Sequence, residues 1–245
     1  MAGLIDPSTS LDTSEVANDE TAQFLNTTLV NNPTIAFPDY TLGLAYEYNY
    51  SPSYSVIAVL GSSNGLADNP NASYSQLVDI TDNGKGVFAG FENQWHMTSI
   101  RFALGGWVNS ADHEKLNGSG HTESNYGLYT TIDGNWRRAV WNLRLGFAND
   151  KVSRAEDFQS VSVEYPFVQA AIGAGFSRTG ISGKTVSANE ADATYTSEVY
   201  LRFRANDKFT VTPSIQWMKD VDISGDVLRK KHNLAILSLR LSHQF

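Results

Sequence analysis

The chain has 245 residues, 41% of them hydrophobic, and a mean hydropathy of −0.28. No stretch approaches the roughly 20 consecutive apolar residues of a transmembrane helix, although alternating strands cross a membrane at just such a soluble-looking average. The net charge of −8 excludes a general nucleic-acid surface, and the absence of cysteine excludes disulfides and thiolate metal sites.

Residues 1–40 are polar and turn-rich, with Asp6-Pro7, Asn18-Asp19-Glu20, Asn31-Asn32-Pro33 and Phe37-Pro38 and no sustained periodicity. Ser10 or Asp12 can cap a short helix over Leu11 to Leu25. This segment is expected to be irregular and packed on or in whatever residues 41–245 build.

From Thr41 the sequence alternates. Thr41–Tyr50 sets Leu42, Leu44, Tyr46, Tyr48 and Tyr50 against Gly43, Ala45, Glu47 and Asn49, the period of a strand with unlike faces. Further strands are expected at Tyr54–Ser62, Gly86–Gln94, Thr98–Val108, Asn125–Asp133 and Arg137–Ala148, with a hairpin turn at Asp133-Gly134-Asn135. Pro166 divides the next stretch into Phe158–Tyr165 and Phe167–Arg178. Thr194–Ala205 and Phe209–Met218 follow, joined by Asn206-Asp207-Lys208.

The last strand, Asn233 to Phe245, carries Ala235, Leu237, Leu239, Leu241 and His243 on one face and Ser238, Arg240, Ser242 and Gln244 on the other. Phe245 on the apolar face is the pattern of the closing strand of a bacterial outer-membrane barrel, whose expected partner is the barrel-assembly machinery. A half-buried strand of a soluble sandwich shows the same alternation, so the whole set has to decide.

The set amounts to about eleven strands near ten residues long, joined alternately by short and long connections, as in membrane barrels. An all-β, antiparallel up-and-down transmembrane barrel is therefore expected, embedded in outer-membrane lipid. Single-chain bacterial barrels have even strand counts, so either residues 1–40 supply a twelfth strand or strands precede Met1. Leu4 and Ile5 run at once into Asp6-Pro7, which is no export leader. An exported chain of this sequence is expected to be a mature form or a fragment.

One set of faces is aromatic and uncharged: Tyr46, Phe91, Phe102, Trp141, Phe147, Phe176, Phe203 and Trp217 fit lipid and its interfaces. The opposite faces carry Glu47, Glu92 and Glu198 with Arg101, Arg138, Arg144, Arg202, Arg204 and Arg240, beside Asn142. Arginines and carboxylates across a lumen orient polar solutes and can hydrogen-bond sugar hydroxyls, while Trp107, Tyr129 and Tyr200 can stack on a sugar face. For each charge the alternative is a cross-strand ion pair that holds the wall. Asp220, Asp222, Ser224 and Asp226 resemble the start of a calcium loop, but position twelve is Lys231 instead of Glu. The five histidines share no ligand spacing, no Gly-x-Ser-x-Gly or phosphate loop occurs, and no cofactor is expected.

Ala17-Asn18-Asp19-Glu20, Gln23-Phe24-Leu25-Asn26, Val30-Asn31-Asn32-Pro33 and Phe37-Pro38 resemble the mid-chain signature of OprB-type carbohydrate-selective porins. Gly3-Leu4-Ile5-Asp6 is similar to the turn before it, with Leu for the usual Lys. Tyr200, Arg202, Phe203, Thr212-Pro213 and Gln216 resemble the family's penultimate hairpin, and the last strand its C-terminus. The resemblance implies a sixteen-stranded porin that passes sugars through an arginine- and glutamate-lined constriction, with five strands missing here. Two other readings stay open: a structural or interaction barrel with a plugged lumen, and an outer-membrane hydrolase.

Overall fold

Among the described residues, twelve strands succeed one another in chain order as one antiparallel meander, each paired with its sequence neighbour. The computed structural model describes residues 1–65, 80–81, 85–185, 192–221 and 232–243. The strands are β1 (Ala2–Ile5), β2 (Thr41–Ser51), β3 (Tyr54–Ser62), β4 (Val87–His96), β5 (Ile100–Glu114) and β6 (Thr122–Trp136). They continue as β7 (Ala139–Ala148), β8 (Ala155–Pro166), β9 (Ala170–Ile181), β10 (Ala193–Arg204), β11 (Phe209–Val221) and β12 (His232–His243). Among the described residues β1 and β12 do not pair, so the sheet is open.

The twelfth strand comes from the N-terminal segment. Ile5 pairs with Thr41 and Ala2 with Leu44, and the Met1 amino group donates to the Ala45 carbonyl at 2.8 Å. Four residues are too few to display alternation, which is why β1 does not announce itself. Short connections at 52–53, 97–99, 137–138, 167–169 and 205–208 gather at one rim. The connection 6–40 leaves and re-enters the sheet at the other rim, because Ile5 and Thr41 are partners there.

The faces follow the alternation. Leu42, Leu44, Tyr46, Tyr48 and Tyr50 of β2 and Leu237, Leu239 and Leu241 of β12 are exposed, as are Phe91, Phe147, Phe176, Phe203 and Trp217. Phe102 and Trp141 on the same face are partly covered. A continuous apolar face of this size is unfit for water and suits the hydrocarbon of a bilayer. Near the short-turn rim the rings of Tyr50, Tyr54, Trp95 and Phe102 form a chain with centroid spacings of 6.5, 5.6 and 5.4 Å. Such a band fits a membrane–water interface.

Three local expectations are corrected. Asp133-Gly134-Asn135 is not a turn: these residues pair with Arg101, Ile100 and Asn142 to Val140 inside the ladder. The hairpin turns at Arg137-Arg138, with Arg137 at φ +58°. Asp133 stays in the strand because its carboxylate faces inward and accepts from Arg101 Nε at 3.1 Å and Asn142 Nδ2 at 3.0 Å. Arg138 consequently leaves the wall and sits exposed in the turn. The helix over Leu11 to Leu25 is absent. The segment holds only a 3-10 turn at Pro7–Thr9 and the single-turn α1 (Thr27–Val30), because wall side chains occupy its backbone hydrogen-bonding groups. Gln244 and Phe245, with the assembly signal expected there, and Asp222, Ser224 and Asp226 lie outside the described residues. Asp220 belongs to β11.

Candidate functional site: the inner face and the segment folded onto it

The connection 6–40 lies along the inner face and is held in two places by the charges that face inward. At the first, Glu92 of β4 accepts from the Asp12 amide at 2.8 Å, from the Tyr129 hydroxyl at 2.8 Å and from Gln94 Nε2 at 2.6 Å. Arg144 of β7 donates to the carbonyls of Asp12 (2.8 Å), Val30 (3.0 Å) and Leu29 (3.3 Å), and its Nε lies 3.5 Å from Asp12 Oδ2. Thr131 donates to the other Asp12 oxygen. Arg101 pairs with Asp133 across β5 and β6 at 2.5 Å and also donates to the Thr13 carbonyl. Asp133 in turn accepts from the Ser14 hydroxyl at 2.9 Å.

Asp12 belongs to the connection and is 3% exposed. Burial pushes its carboxyl up to about 6, with Arg144 and the Thr131 hydroxyl pulling against that rise and Glu92 adding to it.

At the second place no charge of the segment is buried. Glu198 of β10 accepts from the amides of Leu25 (3.0 Å) and Asn26 (2.9 Å). Arg202 donates to the Ala22 carbonyl at 2.8 Å and to Glu164 of β8 at 2.8 Å. Arg240 of β12 donates to the carbonyls of Glu20 (2.6 Å) and Gln23 (2.9 Å). Beside it Asn26 caps α1 by accepting from the Thr28 amide at 3.1 Å.

Apolar packing fills the space between. Ile5, Leu11 and Ile35 join Ile57, Val59, Phe88, Trp107 and Tyr129 in one cluster, and Val16, Phe24, Leu29 and Tyr200 form another. The wall is cut to admit the segment: a Cβ at Gly146 would run into Thr34 and Asn32, and one at Gly175 into Phe24.

The inward charges are thus brought together, by partners absent from their own strands. Glu92, Arg144, Glu198 and Asn142 are buried, as are Trp107, Tyr129 and Tyr200. Trp107 stacks on Phe88 with the rings 18° from parallel, and Tyr200 meets Phe24 edge-on. Arg101, Arg202 and Arg240 are half-buried, and Glu47 and Arg204 are exposed. Asp12, Asp133 and Glu164 share these networks and escaped the sequence reading. Asp12 has no periodic neighbours, Asp133 sits in a turn-like triplet, and Glu164 lies next to the strand-ending Tyr165-Pro166.

Among the described residues, three open volumes can be named beside the segment. One of about 780 Å³ is bordered by Glu15, Glu47, Gln94 and Arg101. A second, about 500 Å³, is bordered by Gln169, Arg202, Arg204, Thr210, Thr212 and Ser242. A third, about 830 Å³, is lined only by the connection, including Asp6, Asp19, Glu20 and Asp39, and shares Thr9 with the first and Thr21 with the second.

The high-pH structure of Pseudomonas putida OprB superposes with a TM-score of 0.66 at 15% identity, over 84% of this chain and 59% of that one. The fold is that of a porin. A substituted porin of Rh. blastica aligns with a TM-score of 0.52 at 14% identity, over 97% of this chain and 72% of that one. An uncharacterized protein of Aquifex aeolicus (strain VF5) is 49% identical over 55 residues, 22% of this chain and 18% of that protein. No protein-family profile matches the chain. The chain therefore carries an OprB-like porin fold over about three-fifths of the OprB length.

Proposed function

We propose that this chain forms wall and constriction of an outer-membrane channel through which small polar solutes, carbohydrates among them, diffuse passively without chemistry. One observation carries the reading: a porin-type meander with an apolar outer face folds its longest described connection onto the inner face and fixes it there with charge. A segment so fixed narrows a passage without blocking it, and the open volumes along it supply a path. Of the inward wall charges named from the sequence, Glu47 and Arg204 are left to meet solute, with Arg101, Arg202 and Arg240 partly reachable, beside Glu15, Asp19 and Glu20 of the segment. Glu92, Arg144 and Glu198 act by holding the constriction in place, and Trp107, Tyr129 and Tyr200 support it from beneath.

Single-channel recording of the refolded chain in a planar bilayer tests this. Discrete conductance steps, partly blocked by glucose or maltose, are expected. Silence from inserted protein with β-type circular dichroism would overturn it in favour of a plugged structural barrel. The buried bonding of Arg144, Glu92 and Glu198 to the segment is the observation that favours that second reading.

A further inference from the structure

Arg204 stands apart from the other inward arginines. Arg202 spends its fork on Glu164 and the Ala22 carbonyl, and Arg240 on the carbonyls of Glu20 and Gln23. Arg204 is exposed, and among the described residues its guanidinium has neither ion pair nor hydrogen bond; only its backbone amide donates, to the Gln169 carbonyl at 2.9 Å. The register explains the arrangement. Arg204 pairs with Thr210 and Thr210 with Ser242, which forms one inward rung nearest the short-turn rim. The adjoining rung ends in Thr212 paired with Arg240.

Arg204, Thr210, Thr212 and Ser242 border the 500 Å³ cavity, and no aspartate or glutamate is among its described lining residues. That volume is within the range of small-molecule sites. A guanidinium fork without a counter-charge, flanked by hydroxyls and an amide, matches a carboxylate or phosphate attached to a hydroxyl-bearing body. The 780 Å³ volume across the segment is the opposite case, bordered by Glu15 and Glu47 while its Arg101 is already paired with Asp133.

We infer that the Arg204 cavity is a subsite for small polyols bearing an oxyanion, such as sugar acids and sugar phosphates, held by Arg204 through the anion and by Thr210, Thr212, Ser242 and Gln169 through the hydroxyls. The inference rests on the channel reading only for the role of this site along a route; binding itself does not require conduction.

Equilibrium titration of the detergent-folded chain with glucuronate and with glucose, at low ionic strength, tests it. Glucuronate is expected to bind at least tenfold more tightly than glucose. Arg204→Gln should reduce it to the glucose level and Arg204→Lys should retain part of the difference. Lys208→Gln, the same change in net charge in the adjacent turn, should leave it intact. Equal binding of the two sugars, or a glucuronate preference that survives Arg204→Gln or is lost equally in Lys208→Gln, overturns the subsite. Conductance recorded in parallel separates the two claims. A silent chain that still prefers glucuronate keeps the subsite and loses the channel. A conducting chain without the preference does the reverse.

Discussion

The two anchorages of the connection solve one problem in different ways. Around Asp12 the wall grips main chain and side chain together, and a carboxylate of the segment is buried against Arg144. Around Leu25 the charges of the wall, Glu198, Arg202 and Arg240, grip main chain, and the only side chains of the segment bonded there among the described residues are neutral, Asn26 to Gln216 at 3.0 Å and Thr28 to Ser177 at 3.1 Å. The first costs the desolvation of a charge and returns dependence on proton concentration. The second satisfies the same kind of backbone donors and acceptors without burying any charge from the segment. A loop can thus be fixed either way, and the first way places a titrating group of the loop itself inside the anchorage.

The largest effect is expected where one side chain serves most partners. Arg144→Leu strands the Asp12 carboxyl and frees the carbonyls of Asp12, Leu29 and Val30, at a cost of about 3–5 kcal/mol. Limited proteolysis within residues 12–31 should then become fast, and an unchanged digestion rate would show that the first anchorage is dispensable.

The pH dependence comes next. The Asp12 carboxyl titrates at about 6 in the fold against 3.8 unfolded. The folded form therefore binds the proton more tightly. Its contribution favours the docked segment fully below pH 3.8 and is lost as the pH rises through 6, at most on the order of 3 kcal/mol. Amide exchange in the segment at pH 4.5 and 7.5, corrected for intrinsic rates, should show tighter protection at the lower value near Asp12. Asp12→Asn should remove that difference.

Glu198→Gln replaces a charged acceptor by a neutral one at the Leu25 and Asn26 amides, for about 1–3 kcal/mol. Exchange should quicken at those two amides and stay unchanged at Asp12; a uniform loss of protection would mean that the anchorages act as one unit. Asn26→Ala removes the α1 cap and should cost about 1 kcal/mol, visible as a small shift in denaturation midpoint.

The wall was legible because a strand's side-chain period is two and the outer face needs no partner. Leu42 to Tyr50 and Ala235 to His243 declare their sides locally, and those faces hold in the fold. Turn chemistry was less reliable. Asp133-Gly134-Asn135 has the composition of a hairpin turn, but the Asp133 carboxylate is committed to Arg101 and Asn142, while the real turn puts an arginine at positive φ. That arginines and glutamates face inward could be read from alternation. What they hold could not, since Glu92 reaches Asp12 and Arg240 reaches Glu20 in a stretch without period. Nothing local distinguishes an arginine that meets solute from one that meets a carbonyl.

Those separations also set an order of events. Every pairing in the sheet joins neighbouring strands, and those with short connections close by zipping from turns. The bonds that fix the connection span far more chain: 80 residues from Asp12 to Glu92, 173 from Leu25 to Glu198 and 220 from Glu20 to Arg240. Contacts of long sequence separation form late. The segment should therefore be last to find its place, and its second anchorage later than its first. In a pulsed-exchange refolding experiment Asp12 would gain protection before Leu25, and the reverse order would mean that the segment templates the wall instead of following it.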